Sequence, residues 1–193
     1  MRIYHFGMPN QQFRGGIHLF SGKKREYPEL NGHIWVPIDD NTCYAWSFDY
    51  HPVRALTSDE VMHMRNGKGV HVRTFPGTYM PIANKDNDYL MDRAAQKAGT
   101  TYSGVEGIGQ QDASLQESMG PIVDRTKENL VGCDNGIIMM RHKIMRAAKA
   151  LREKGTLPPA RSSEEQAVRS TALLLKRSVH FKDGAKEALK AKK

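Results

Sequence analysis

The chain has 193 residues, 39% hydrophobic and 26% charged, with a formal net charge of +8. That length suits one domain with a sizeable core, and no run approaches the roughly 18 apolar residues of a membrane span. Cys43 and Cys133 stand alone at unrelated positions, which excludes a disulfide scaffold and fits a reducing cytoplasm.

The opening Met1-Arg2-Ile3-Tyr4-His5-Phe6 has too short an apolar run for a signal peptide. Ile3 and His5, then Ile17 and Leu19, predict two short strands around a loop with Pro9 and Gly15-Gly16. A polar connector with Tyr27-Pro28 and Asn31-Gly32 follows. His33 to Ile38, the turn Asp39 to Thr42, and Cys43 to Tyr50 form the clearest hairpin, with Tyr44, Trp46, Phe48 and Tyr50 alternating onto one face. These aromatics, with Trp35, read either as a pocket wall or as sheet core. Pro37 predicts an edge or a bulge.

Thr57-Ser58-Asp59-Glu60 opens a short helix through Met64, capped by Ser58 or Thr57. Asn66 to Gly69 is a turn, and a lone His71 reads as a hydrogen-bonded structural residue. Asn84 to Asp88 gathers turn and cap residues, without the glycine and glutamate that a calcium loop needs. Residues 96–106 are a flap or a connector. Further on, Asp134 caps a long helix with the stripe Ile137, Met140, Ile144, Ala147, Ala148 and Leu151, ending at Gly155. Ser162-x-x-Glu165 reads as a capping box opening another helix to about Lys176, and the tail after His180 as mobile. The tail is basic (Lys182, Lys186, Lys190, Lys192, Lys193). That charge admits nucleic-acid binding, although no recognised module is present, and equally favours anionic ligands.

The densest chemistry lies in Gly107-Ile108-Gly109-Gln110-Gln111-Asp112-Ala113-Ser114-Leu115-Gln116-Glu117-Ser118-Met119-Gly120-Pro121 and on to Arg125. Leu115, Met119 and Ile122 recur at helical spacing as an apolar face. Asp112 is placed at the start of this helix, Ser114-x-x-Glu117 as its capping box, and Gly120-Pro121 as its end. A carboxylate there suits a single metal ligand. It equally suits a helix start, where it complements the dipole.

The run from Gly107 to Arg125, with Glu128-x-Leu130 and the Asp134-to-Arg141 helix, resembles the C-terminal catalytic region of Rieske-type aromatic-ring oxygenases. The likeness is to the phthalate 4,5-dioxygenase and dehydrodivanillate O-demethylase-like group of large subunits. Trp35 to Asp40 and Ile82 to Tyr89 are similar to the same group, so the likeness covers most of residues 1–155. It implies an α+β fold of the helix-grip, START-like kind: a twisted antiparallel sheet with the Asp134–Leu151 helix packed on it. Residues 156–193 would be a linker, a helix and the basic tail.

The resemblance also implies chemistry. Mononuclear Fe(2+) would take two histidines and one carboxylate, the carboxylate being Asp112 with Glu117 as rival. Gln111, Gln116 and Glu117 would support the ligands, Glu117 capping or pairing with Arg125. Trp35, Tyr44, Trp46, Phe48 and Arg2 would contact the aromatic substrate, with Arg14 a further candidate for its carboxylate. Dioxygen would be the co-substrate, in ring hydroxylation or O-demethylation. The family's [2Fe-2S] Rieske cluster needs Cys-x-His and Cys-x-x-His pairs, and its iron histidines stand five residues apart; neither pattern occurs here. The expectation is therefore a catalytic portion that works with a histidine-bearing Rieske half or partner subunit and an electron-donating reductase, as a homo-oligomer in the cytoplasm. The alternative is a non-catalytic module that binds an aromatic anion.

Overall fold

A computed structural model of the chain describes residues 2–15, 30–52, 54–159 and 162–190. Strands β1 (Arg2–Ile3), β2 (His5–Gly7), β3 (Gln11–Gly15), β4 (Leu30–Pro37) and β5 (Cys43–Tyr50) open the chain. β2, β3, β4 and β5 make an antiparallel sheet in that order. The short strand expected at residues 17–19 lies outside the described residues. The hairpin forms as its alternation dictates, with Ile34 opposite Trp46 and His33 opposite Ser47. Asp39 closes its turn by accepting from the amides of Asn41 (2.8 Å) and Thr42 (2.7 Å).

Register assigns the two faces of this sheet, because residues paired across strands share a side. One face carries Phe13, Gly15, Leu30, Gly32, Ile34, Tyr44, Trp46, Phe48 and Tyr50. The other carries Gln12, Arg14, Asn31, His33, Trp35, Ser47 and Asp49.

A single strand near the C-terminus covers part of the apolar face. β6 (Thr171–Ala172) pairs antiparallel with β1. It crosses so close to β3 that a Cβ on Gly15 would stand 2.6 Å from the Thr171 carbonyl carbon, so the crossing requires glycine. Ser170 is 2% exposed; its hydroxyl donates to the Phe13 carbonyl (2.7 Å) and accepts from the His5 amide (3.3 Å).

The region after residue 162 departs from expectation. The capping-box bonds form, with the Glu165 amide donating to Ser162 Oγ (3.2 Å) and Ser162 N donating to the Glu165 carboxylate (3.3 Å). They close a turn, not a helix to Lys176. The β1 edge and the burial of Ser170, Thr171 and Ala172 outweigh local helical preference. The tail is also not free: helix α5 (Phe181–Ala185) buries Ala185 completely, and Lys190 bridges back to Val168.

α1 (Ser58–Arg65) is capped by Thr57, whose hydroxyl accepts from the Glu60 amide while the Glu60 carboxylate accepts from the Thr57 amide. α2 (Arg93–Lys97) is capped by Asp92. α3 spans Ile108–Ser118. α4 spans Asn135–Lys154, 20 residues ending at Gly155 in the left-handed conformation. α4 keeps Ile138, Met140, Arg141, Ile144, Ala147 and Ala150 half-buried along one side and buries none of its residues, while Ile137 and Leu151 of the expected stripe are exposed. Glu128 ties it to the preceding loop by accepting two bonds from Arg141 (2.6 and 2.8 Å) and one from Arg125 (3.0 Å). The architecture is α+β, with no helix among the described residues long and apolar enough to cross a membrane.

Candidate functional site

α3 begins earlier than its capping signals suggest. Gly107, at φ +83°, is the residue before the first turn, and Asp112 lies in the second turn. Ser114 caps nothing; its hydroxyl donates to the Gln111 carbonyl (2.8 Å) within the helix. Leu115, Met119 and Ile122 are exposed and form no core. The reason is Gly109: its amide donates to the Gly69 carbonyl (3.2 Å), and a Cβ there would stand 2.6 Å from the Val70 carbonyl oxygen. The helix is docked by its first turn against the loop at residues 69–70.

Side chains pin the other side of α3. Gln110, 6% exposed, donates to the Ala83 carbonyl (2.6 Å), and Gln111 donates to the Val105 carbonyl (2.9 Å). Glu117 neither caps nor pairs with Arg125. It accepts from the Tyr89 hydroxyl at 2.5 Å. Tyr89 belongs to a run of three left-handed residues, Asp88, Tyr89 and Leu90 (φ 51°, 56° and 51°), a conformation that packing must hold against its intrinsic cost. Burial first, and the Glu117 carboxylate second, push the Tyr89 phenol up to about 12. Tyr89→Phe is expected to cost about 1 kcal/mol in urea unfolding, and to remove a phenol that ionises at about pH 12 from an ultraviolet titration.

Asp112 is exposed and makes no hydrogen bond among the described residues. It lies near enough to the polar side of the sheet for its charge to oppose, in part, the lowering that burial imposes on Arg14 and His33. On that side Arg14 Nη2 bonds to His33 Nε2 at 2.5 Å. A guanidinium only donates, so His33 Nε2 accepts and Nδ1 carries the proton. Nδ1 then donates to Ser47 Oγ (3.0 Å), and the Ser47 hydroxyl donates to the Val70 carbonyl (3.0 Å). Beside this relay, His71 Nε2 donates to the Asp49 carboxylate at 3.1 Å.

Burial, then the Arg14 charge, lower the His33 ring to about 4, His71 adding and Asp112 and Asp49 opposing. The unfolded chain takes up this proton near 6.5. The stabilisation is therefore complete above pH 6.5 and is lost as pH falls from there to about 4. The ring is partly open to solvent, so the loss is expected to be only about 1 kcal/mol. Urea midpoints at pH 7 and pH 4.5 should show it, and His33→Gln should remove this part of the difference.

The aromatic candidates do not share one surface. Trp35 stands on the polar face, 5.5 Å from the His33 ring. Tyr44, Trp46 and Phe48 are on the opposite face. There Tyr44 and Trp46 cluster with Tyr79 (5.4 and 5.3 Å), and Phe48 meets Phe13 edge-on (6.0 Å). Arg2 is exposed on β1 and donates to the Tyr4 hydroxyl (3.2 Å). Gln116 is exposed on α3. A cavity of about 350 Å³ lies beyond α3, lined among others by Asn66, His71, Arg73, Tyr89, Val105 and Gln110; none of the aromatic candidates lines it.

Sequence reasoning missed His33, Ser47 and Asp49, and it read His71 as merely structural. Their signal was present in the alternation: they are the polar partners of the aromatic positions, which ordinarily point to solvent.

The family whose model is described as LigXa C-terminal domain like matches residues 28–184. The chain belongs to that family and is a catalytic region of the Rieske-type oxygenase class. It is similar to the 3-chlorobenzoate-3,4-dioxygenase oxygenase subunit of Comamonas testosteroni, 31% identical over 147 residues, covering 68% of this chain and 33% of that one. It is also similar to the phthalate 4,5-dioxygenase oxygenase subunit of Pseudomonas putida, 33% identical over 118 residues, covering 61% of this chain and 26% of that one. The chain thus spans between a quarter and a third of the length of these relatives by alignment.

Proposed function

We propose that this chain supplies the carboxylate side of a mononuclear iron centre in an oxygenase that uses dioxygen to hydroxylate or O-demethylate an aromatic acid. The observation that carries this reading is the placement of Asp112. It stands on a helix locked to the 69–70 loop through Gly109, facing a polar sheet surface that bears a half-buried arginine. Its carboxylate is not spent on a cap or an ion pair among the described residues, whereas Glu117, the rival ligand, is bound to Tyr89.

Among the described residues no group of three or more His, Cys, Asp or Glu could take a metal, and ferrous sites of this kind need two imidazoles besides the carboxylate. The imidazoles, and the [2Fe-2S] Rieske cluster, are assigned to a further part of the oxygenase subunit or to a partner polypeptide. A reductase would supply electrons, and the assembly is assigned a homo-oligomeric, cytoplasmic setting. Gln111 and Gln116 remain supporting candidates on α3, Gln111 through the Val105 carbonyl it holds.

The test is metal analysis and oxygen uptake after co-expression with the histidine-bearing portion of a related oxygenase subunit. Wild type is expected to retain iron in the combined sample, and Asp112→Ala to lose it. Iron retained by Asp112→Ala would overturn the assignment. Arg14, His33 and Trp35 on one face also favour a second reading, a module that binds an aromatic anion without metal; binding that is unchanged by chelators would support it.

A further inference from the structure

We propose that His33 is a positioning residue: through the relay from Arg14 to His33 to Ser47 to the Val70 carbonyl, it holds the Arg14 guanidinium as the anchor for an aromatic carboxylate. This rests on the reading of the polar face as the substrate side.

Four features lead there. First, the relay has one direction. Each member donates to the next, and the last acceptor is a main-chain carbonyl. That carbonyl is the one against which Gly109 of α3 is packed. The position of the guanidinium is thereby set relative to the helix that carries Asp112.

Second, the partner of the arginine is neutral. A carboxylate in the place of His33 would orient Arg14 equally well but would cancel its charge. A neutral imidazole fixes the group and leaves the charge for an incoming anion. Asp49, the other acid nearby, is already paired with His71.

Third, Arg14 retains donor capacity. Its Nε is buried and makes no hydrogen bond among the described residues. A buried donor without a partner carries a free-energy cost, so the bond to His33 is the one hydrogen bond that fixes the guanidinium among the described residues.

Fourth, Trp35 lies beside the relay, its ring 5.5 Å from that of His33. It offers a flat apolar surface on the same face of the sheet as the cation. An aromatic ring stacks there at centroid separations of about 4.5–7 Å, with its carboxylate directed at Arg14.

The experiment titrates the full chain with benzoate and with methyl benzoate, its uncharged counterpart, following quenching of tryptophan fluorescence. Wild type is expected to prefer benzoate by at least about tenfold, the range of a charge-assisted pair. His33→Leu, which removes the acceptor, is expected to abolish that preference while methyl benzoate binding persists; the persistence shows that the variant is folded. His33→Gln, whose amide can accept from Arg14 and donate to Ser47, is expected to restore most of it. Arg14→Met is expected to abolish it.

A His33→Leu variant that keeps the preference overturns the proposal, even if Arg14→Met loses it. A preference that survives Arg14→Met overturns the anchor itself, while the aromatic-ligand reading stands. Failure of wild type to bind either compound overturns that reading and the proposal with it.

Discussion

Gly109→Val should detach α3 from its loop, lower stability by about 3 kcal/mol and leave Asp112 without a defined position. The branched side chain has nowhere to go, because a Cβ at 109 stands 2.6 Å from the Val70 oxygen and 3.0 Å from its carbonyl carbon. Both are backbone atoms, so no rotamer change relieves the contact. Overpacking of this kind costs about 1–3 kcal/mol, occasionally more, and the few tenths of a kcal/mol that valine gains over glycine in helix propensity do not offset it. The hydrogen bond from the Gly109 amide to Gly69 is strained in the same movement. The control is Gly136→Ala in α4, where nothing lies within 4 Å of the added Cβ; it should be neutral or stabilising by about 0.5 kcal/mol. Urea denaturation of both variants checks the pair. An equal response at the two glycines would show that α3 is not docked as described.

Ser170→Val should lower stability by roughly 2–4 kcal/mol, because it replaces a hydroxyl by a methyl group and adds a second methyl at a position that is 2% exposed. The loss comes from the groups left behind. The Ser170 hydroxyl serves the Phe13 carbonyl, the His5 amide and the His5 ring (3.1 Å) at once, and the residue is 2% exposed. Removing it orphans buried polar groups at about 1–3 kcal/mol each. Burial lowers the proton affinity of the His5 ring, which disfavours recovering the loss by taking a charge. Thermal unfolding of Ser170→Val beside Ser163→Val, an exposed position in the nearby turn, isolates the effect. Equal melting temperatures would mean that the C-terminal segment does not brace the sheet.

The two regions differ in how far the chain announces them. The hairpin was legible because Tyr44, Trp46, Phe48 and Tyr50 alternate over a full strand. The cap of α1 was legible because Thr57 and Glu60 need only each other. The segment after Ser162 carries the same local signal, and its bonds do form, yet the chain then leaves for a strand whose partner lies some 170 residues earlier. No local pattern reports such a partner. At the proposed site, Asp112 is a candidate through family likeness alone. The start of its helix was misjudged because glycine reads as a turn residue, while Gly109 is there for close approach. The relay through His33 and Ser47 was hidden for a different reason. Polar residues alternating with aromatics look like a wetted face until the register and the docked loop show what stands over them.

The pairing of Arg2–Ile3 with Thr171–Ala172 also sets an order of events during synthesis. Strand β1 leaves the ribosome long before β6, its partner. At about 5–20 residues per second, β1 is without its partner for roughly ten to thirty seconds, and the apolar side of β3 around Gly15 is open for the same interval. Contacts so distant in sequence form late and slowly. The nascent chain therefore passes through a stage in which the β4–β5 hairpin is complete but β1 and β3 are still uncovered, and that stage is where a chaperone would find it.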